Sequence, residues 1–213
     1  MGKARRERNP EGGFSMIELG VVMFVIFVIS GIAIIQLQPT WQQLEAGAAT
    51  DQVKTVLREA RELSISQRRT IAVQFVGNNE IELFQYQIQY TPLGAPTQVI
   101  STTPFLTVPI ENHVSFMTFT AETDTPDQFS GTISTPGGIY FGGVAGGPPA
   151  GMEFQSDGTF TDGNGNPING TVFLGVTNIP QTARAVTVLG NTGRIKSWRA
   201  TSAWGPSGAG WSL

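Results

Sequence analysis

The chain has 213 residues and no cysteine, which excludes both a disulfide framework and a thiolate metal site. Glycine (26) and proline (13) are frequent and charged residues make up only 14%, a composition that favours a turn-rich β domain over a helical bundle. Residues 1–13 carry four basic and two acidic side chains, whereas residues 14–213 carry nine basic and fourteen acidic ones. Such a chain is not suited as a whole to nucleic acid, so any DNA contact would be local.

A continuous apolar segment follows the basic residues at the N-terminus. It runs from Phe14 to Leu37 and contains one ionisable side chain, Glu18. About 20 apolar residues in a helix cross the roughly 30 Å hydrocarbon core of a bilayer, and basic residues before such a helix stay cytoplasmic. The sequence therefore predicts a single membrane-spanning helix over residues 14–37, with the remainder of the chain on the outer side.

Two other interpretations of this segment compete with that prediction. A cleaved secretory signal peptide would end in a small-x-small site, and Gly31-Ile32-Ala33 has that form but lies inside the apolar run. A plain membrane anchor would explain the hydropathy but not Glu18, because a carboxylate at the centre of a membrane helix costs about 2.5–3.5 kcal/mol. A glutamate in the first helical turn would, alternatively, be stabilised by the helix dipole.

The residues around Glu18 carry a family resemblance. The segment Glu11–Leu19 (EGGFSMIEL) resembles the processing site of class III signal peptides in type IV pilins and type II secretion pseudopilins. The resemblance implies that residues 1–13 are a leader, that a prepilin peptidase cleaves after Gly13, and that Phe14 is then N-methylated. It also implies that the apolar helix stays in the mature protein and that Glu18 pairs with the freed amine of a neighbouring subunit.

A second helical segment is predicted beyond Pro39, where the helix is expected to kink. Apolar residues recur there at spacings near three and four, and charged residues occupy the other positions. The predicted apolar positions are Trp41, Leu44, Ala48, Val53, Val56, Leu57, Ala60 and Leu63. The pattern predicts an amphipathic helix over residues 38–67.

Residues 68–213 contain short apolar segments separated by glycine and proline, which predicts one β domain. The predicted strands are Ile71–Val76, Glu80–Tyr90, Phe105–Ile110, Val114–Phe119, Gly138–Phe141, Met152–Phe154, Thr171–Val176, Arg184–Leu189 and Arg194–Trp198. In the second strand Phe84, Tyr86, Ile88 and Tyr90 alternate with glutamines, as in an antiparallel sheet with one wet face. The predicted fold class is α+β: a long N-terminal helix, half membrane-spanning and half amphipathic, packed on a C-terminal antiparallel β domain.

Motifs in the C-terminal third narrow the resemblance. A Phe154-x-x-Asp157-Gly158 element, a Gly170-Thr171-Val172 strand and a final hairpin ending in Gly193-Arg194 follow in the order seen in the GspH/FimT family of minor pseudopilins and minor pilins. The resemblance implies a pilin-like structural subunit in the bacterial inner membrane, with its C-terminal domain in the periplasm. Its implied partners are the prepilin peptidase and other pilin or pseudopilin subunits, with which it enters a pilus or pseudopilus.

An enzymatic function finds little support in the sequence. His113 is the only histidine, and no nucleophile elbow, zinc-peptidase helix or phosphate-binding loop is present. A lone histidine is more often packed or solvated than catalytic. We therefore expect neither a catalytic site nor a cofactor.

A candidate calcium loop is formed by Asp162, Asn164 and Asn166, which place oxygen atoms at alternate positions. Pro167 and Phe173 occupy the positions where such a loop needs a glycine and an acid. A Gly/Asn hairpin turn explains the segment better, so no metal site is predicted.

The basic residues of the β domain are most concentrated at Arg194, Lys196 and Arg199. In a strand, Arg194 and Lys196 share one face and Arg199 lies on the other. Some FimT-like minor pilins hold DNA with a Gly-Arg-x-Arg element at this place, but this chain has lysine as the second base, without the bidentate fork of arginine.

The sequence thus leaves two hypotheses: a structural pseudopilin-like subunit, and a DNA-capturing minor pilin for natural transformation. A solvated charge cluster is the favoured interpretation of the three side chains.

Overall fold

The computed structural model describes residues 15–89, 97–110, 113–131, 133, 137–148, 151–201 and 210–213. The described residues form one α-helix and thirteen β-strands. They belong to two compact units, Met1–Trp41 and Gln42–Leu213. Gly13 and Phe14 of the predicted processing site, and Tyr90 of the second predicted strand, lie outside the described residues.

Helix α1 comprises Met16–Gln67, 52 residues in all. Its first turn begins where the backbone N–H of Leu19 donates to the carbonyl of Ser15, at 3.1 Å. The helical backbone continues through Pro39, and the kink expected at that position stays a prediction. In the first unit, the apolar side chains of α1 are exposed over the whole of Met16–Ala33.

The part of α1 in the second unit packs against the β domain through one stripe of mostly small and apolar residues. The buried residues of this stripe are Ala46, Ala49, Thr50, Val53, Val56, Leu57, Ala60 and Ser64. The sequence prediction was right for the four apolar positions from Val53 to Ala60. It was wrong for Trp41 and Leu44, which are 62% and 60% exposed, and for Ala48. In the second unit, Leu44 and Ala48 lie on a neighbouring stripe of the helix, whereas Ala46 and Ala49 are buried against the β domain.

The strands of the β domain are β1 Ile71–Val76, β2 Glu80–Gln89, β3 Thr97–Ile100, β4 Leu106–Pro109, β5 Val114–Phe116, β6 Ile139–Phe141, β7 Val144–Ala145, β8 Met152–Phe154, β9 Phe160–Asp162, β10 Gly170–Val176, β11 Ile179–Leu189, β12 Arg194–Ala200 and β13 Trp211–Ser212. They form two sheets. The first has the order β3-β2-β1-β8-β9, with β4 also paired to β2, and the second has the order β13-β12-β11-β10-β6-β7, with β5 also paired to β10. All pairings between these strands are antiparallel.

One hydrophobic core joins α1 to both sheets. The first sheet contributes residues such as Val73 and Leu83, and the second contributes residues such as Leu174 and Val186. Aromatic rings complete the core: Phe160 lies 4.7 Å from Phe154 and 5.3 Å from Phe141, measured between ring centroids. The predicted α+β class, with a long N-terminal helix packed on an antiparallel β domain, is confirmed.

The core-facing side of β2 differs from the expectation. Ile81 and Leu83 belong to the core beneath α1, and Gln85 on the same face donates to Gln67 at the end of the helix, at 2.7 Å. Phe84 and Tyr86 are on the opposite face of the strand. The helix therefore covers the odd-numbered residues of β2. The alternation of aromatic residues along the strand could not predict this, because it does not show which face of the strand the helix covers.

Candidate functional site

The described residues contain one helical segment that is long and apolar enough to cross a membrane, Met16–Ala33. None of it is buried within the protein. Phe24 and Phe27, among others, present their rings outward. An exposed apolar surface of this length is unfavourable in water and favourable against lipid or other helices, and it is consistent with a membrane anchor.

Glu18 lies in the first turn of α1 and is the only acidic residue there. Its side chain is exposed and has no hydrogen bond or ion pair with any residue that the structure describes. Ser15 directly precedes the helix, so Glu18 occupies the position at which a carboxylate interacts favourably with the positive end of the helix dipole. The carboxylate is also free to accept a cation from another chain.

Lys196 is neutralised within the β domain. Its Nζ atom lies 2.9 Å from Oδ1 of Asp127 and 5.1 Å from the centre of the Trp198 ring. The other oxygen of Asp127 accepts a hydrogen bond of 2.8 Å from the hydroxyl of Thr187, which in turn accepts one from Nε1 of Trp198. The lysine charge is thus part of a network that ties β11 and β12 to residue 127.

Arg199 is engaged with α1. Its Nη2 atom donates to Oε1 of Gln43 at 3.1 Å, and it lies directly opposite Arg184 in the register of β11 and β12. Arg184 is only 4% exposed and donates to the carbonyls of Ala183 (2.8 Å) and Gln43 (3.4 Å). Burial, followed by the nearby charge of Arg199, lowers the pKa of Arg184 to about 10, so it remains charged at neutral pH. The two arginines hold the start of the α1 segment that packs on the sheet. This segment, residues 42–67, is the packed half of α1.

Arg194 has different neighbours from the other two predicted bases. It is exposed at the start of β12 and lines a pocket together with Arg58 and Arg61 of α1. The structure therefore does not bring Arg194, Lys196 and Arg199 together as one basic surface. Sequence spacing along the strand could not reveal that Arg58 and Arg61, more than 130 positions earlier in the chain, are the neighbours of Arg194.

The candidate calcium residues form a closed turn. Oδ1 of Asp162 accepts hydrogen bonds from the backbone N–H groups of Asn166 (2.8 Å) and Asn164 (3.0 Å), and Oδ2 accepts one from the side chain of Asn166 (3.1 Å). Hydrogen bonds from Asn166, and secondarily from Asn164, lower the pKa of Asp162. Within the described ranges, no group of three or more His, Cys, Asp or Glu side chains lies together. The carboxylate is thus used to stabilise its own turn.

Two buried carboxyl groups were missed by the sequence analysis. Oε2 of Glu122 accepts from the N–H of Phe119 at 2.6 Å, whereas Oε1 is buried and has no partner among the described residues, and burial raises the pKa of the group to about 8. Glu153 accepts from Nε2 of Gln155 at 2.7 Å and is also bonded to Tyr86, and burial raises its pKa. The only sequence signal was the position of Glu153 between two apolar residues of β8. Burial in the folded domain thus favours the protonated form of both carboxyl groups.

Comparisons with known proteins give structural similarities alone. No family model matches the chain, and no curated protein matches it. The structure is similar to the minor pseudopilin EpsH from the type 2 secretion system of Vibrio cholerae, with 13% identity, a TM-score of 0.41, and coverage of 73% of this chain and 97% of that one. It is also similar to two crystal structures of the type IV minor pilin FimU of Pseudomonas aeruginosa, each with 14% identity and a TM-score of 0.40. They cover 71% and 79% of this chain and 90% and 94% of theirs. At this level of similarity, function has to be inferred from the residues of this chain.

Proposed function

We propose that this chain is the precursor of a pilin-like structural subunit, a minor pseudopilin-like component of a bacterial type II secretion system or type IV pilus. The observation that carries the proposal is the exposed apolar helix, preceded by the processing motif, with a Glu18 in its first turn that has no partner among the described residues. The subunit works by assembly and partner recognition rather than by catalysis.

In this proposal a prepilin peptidase removes residues 1–13 and N-methylates Phe14. The new amine carries a positive charge at the membrane surface, and Glu18 of an adjacent subunit accepts it. In a layer of low dielectric constant this pairing offsets the cost of placing each charge there, and it fixes the axial offset between neighbouring helices. Because the amine and the carboxylate lie at different positions of the helix, each contact is heterologous and repeated contacts build a helical assembly.

The proposed location follows from the same segment. Residues 14–37 hold the subunit in the inner membrane before assembly, and the basic leader stays in the cytoplasm. Residues 68–213, with the packed half of α1, form the periplasmic domain that other pilin or pseudopilin subunits contact.

Mass spectrometry of protein isolated from membranes of its native host tests the proposal. We expect a mature chain that begins at N-methylated Phe14 and retains Met16–Ala33. Glu18→Gln should be processed normally but should fail to enter the assembly, whereas Glu18→Asp should retain part of the function. A chain that begins at Gln36 or later, or one that keeps Met1 in cells with an active peptidase, would rule the proposal out.

DNA capture is a second candidate function, favoured by one observation. The side chain of Arg194 is exposed and has no hydrogen bond or ion pair with any described residue. Fluorescence anisotropy of the full chain in non-ionic detergent with duplex DNA tests it. Salt-dependent binding that is lost in the double variant Arg194→Gln/Lys196→Gln would support DNA capture, and absence of salt-dependent binding would reject it.

A further inference from the structure

A pocket of about 520 Å³ lies between the packed half of α1 and the hairpin that joins β11 to β12. Its charged lining consists of Arg58, Arg61 and Glu62 from the helix and Arg194 from the hairpin. The lining therefore contains three arginines and one glutamate. None of the four forms an ion pair with a described residue.

The side chain of Arg61 is held in place by the backbone around it. Its Nε atom donates to the carbonyl of Gly158 at 3.2 Å. Gly193 has a positive φ of 59°, and a Cβ at this position would overlap the carbonyl oxygen of Gly158 and lie 2.7 Å from Nε of Arg61. Two glycine-containing turns thus leave room for the arginine stem, while its terminal amino groups have no hydrogen-bond partner among the described residues.

This arrangement leaves positive charge uncompensated at one place in a domain that is acidic overall. Like charges held together repel one another, and the repulsion is relieved when an anion binds between them. The other two bases of β12 do not share this role, because Lys196 is paired with Asp127 and Arg199 is bonded to Gln43.

We propose that the pocket of Arg58, Arg61 and Arg194 binds an acidic segment of a partner protein, with carboxylate side chains accepting hydrogen bonds from the guanidinium groups. Planar guanidinium groups bind carboxylates in a bidentate manner, and a pocket of this size accommodates more than one of them. Nucleic acid fits less well, because residues 14–213 carry nine basic and fourteen acidic side chains and the pocket itself contains Glu62. The inference does not require leader cleavage or assembly through Glu18.

The test uses the full chain in non-ionic detergent and a fluorescein-labelled hexaglutamate peptide, with hexalysine and a 20-base-pair DNA duplex as comparison ligands. We expect anisotropy to show hexaglutamate binding that weakens as salt is raised. Arg58→Gln/Arg194→Gln should weaken this binding by about tenfold. Arg61 is left unchanged because it packs against the two turns.

The matched control is Arg68→Gln/Arg69→Gln, which removes the same charge from two exposed arginines outside the pocket. It should bind hexaglutamate within about twofold of the wild type. Circular dichroism verifies that both double variants are folded. Equal loss of binding in the two variants, no binding of hexaglutamate, or tighter binding of the duplex than of hexaglutamate would each overturn the proposal.

Discussion

Glu122 provides the clearest test of how burial controls the stability of the β domain. The residue is 8% exposed, and within the described part of the chain only one of its carboxyl oxygens has a hydrogen-bond donor, the N–H of Phe119. Burial raises its pKa from the ordinary value of 4.5 to about 8. The folded protein therefore holds this proton more tightly than the unfolded chain does. The resulting stabilisation is complete below pH 4.5 and is lost as the pH rises towards 8.

Replacing Glu122 by glutamine removes the titration but keeps an acceptor for Phe119. Between pH 5 and pH 8 the wild type should lose about 3 kcal/mol of unfolding free energy relative to Glu122→Gln, since one pKa unit corresponds to about 1.36 kcal/mol. Other groups, such as Glu153, also titrate in this range and affect the stability of both proteins. Subtracting the unfolding free energies of the two proteins at each pH removes this common contribution. The variant should therefore be similar to the wild type at pH 5 and clearly more stable at pH 8.

Urea unfolding followed by tryptophan fluorescence measures this difference, and Trp198 is a suitable reporter because it is buried in the domain. Both proteins are unfolded at pH 5, 6.5 and 8 with the same detergent and salt. Glu62→Gln, an exposed carboxylate, is the control and should change the pH dependence little. If the stability difference between Glu122→Gln and the wild type is the same at pH 5 and pH 8, the carboxyl group is not buried in the way described.

Two further predictions concern the packing of β11 and β12. Gly193→Ala should lower the unfolding free energy by about 1–3 kcal/mol, because the added Cβ combines a clash with an unfavourable positive φ. Gly77→Ala, where φ is also positive but the space around the residue is open, should lower it less. Urea unfolding compares the two variants, and equal losses of stability would contradict the assigned clash. A double-mutant cycle with Lys196→Met and Asp127→Asn should give a coupling free energy of about 1 kcal/mol. This coupling should decrease in high salt, because both side chains are partly exposed. A coupling near zero at low salt would show that the ion pair is not formed.

Local patterns predicted much of the fold. Strand β1 and strand β8 begin and end where the apolar segments do, and β10 and β12 differ from their predictions only at their ends. Strand β11 begins five residues earlier than expected, at Ile179. Its first four residues include Pro180 and two polar side chains, but the turn at Asn178, with a φ of 65°, returns the chain directly beside β10. Tertiary pairing therefore extends a strand that its own sequence does not favour.

The candidate sites were predictable only where they depend on neighbouring residues in the chain. The apolar segment and Glu18 could be located because membrane helices and their first turns are continuous in sequence. The basic cluster could not be interpreted in this way. Strand alternation separates Arg199 from Arg194 and Lys196, but the partners Asp127, Gln43 and Arg58 come from distant parts of the chain. Tertiary packing determines which charged side chains find a partner, and local sequence patterns do not predict it.

The exposed positions of Trp41 and Leu44 show that the same holds for apolar residues: local spacing does not determine which of them are buried. Spacing alone assigned both residues to the face of α1 that packs on the sheet, yet the sheet is contacted by Ala46 and Ala49, whose small side chains allow close approach. A large aromatic ring and a leucine left in solvent are unfavourable for a helix that has no further contacts. Along the described part of α1, exposed apolar residues therefore occur at Trp41 and Leu44 as well as over Met16–Ala33. The proposed function would supply lipid and neighbouring subunits as the contacts of these residues.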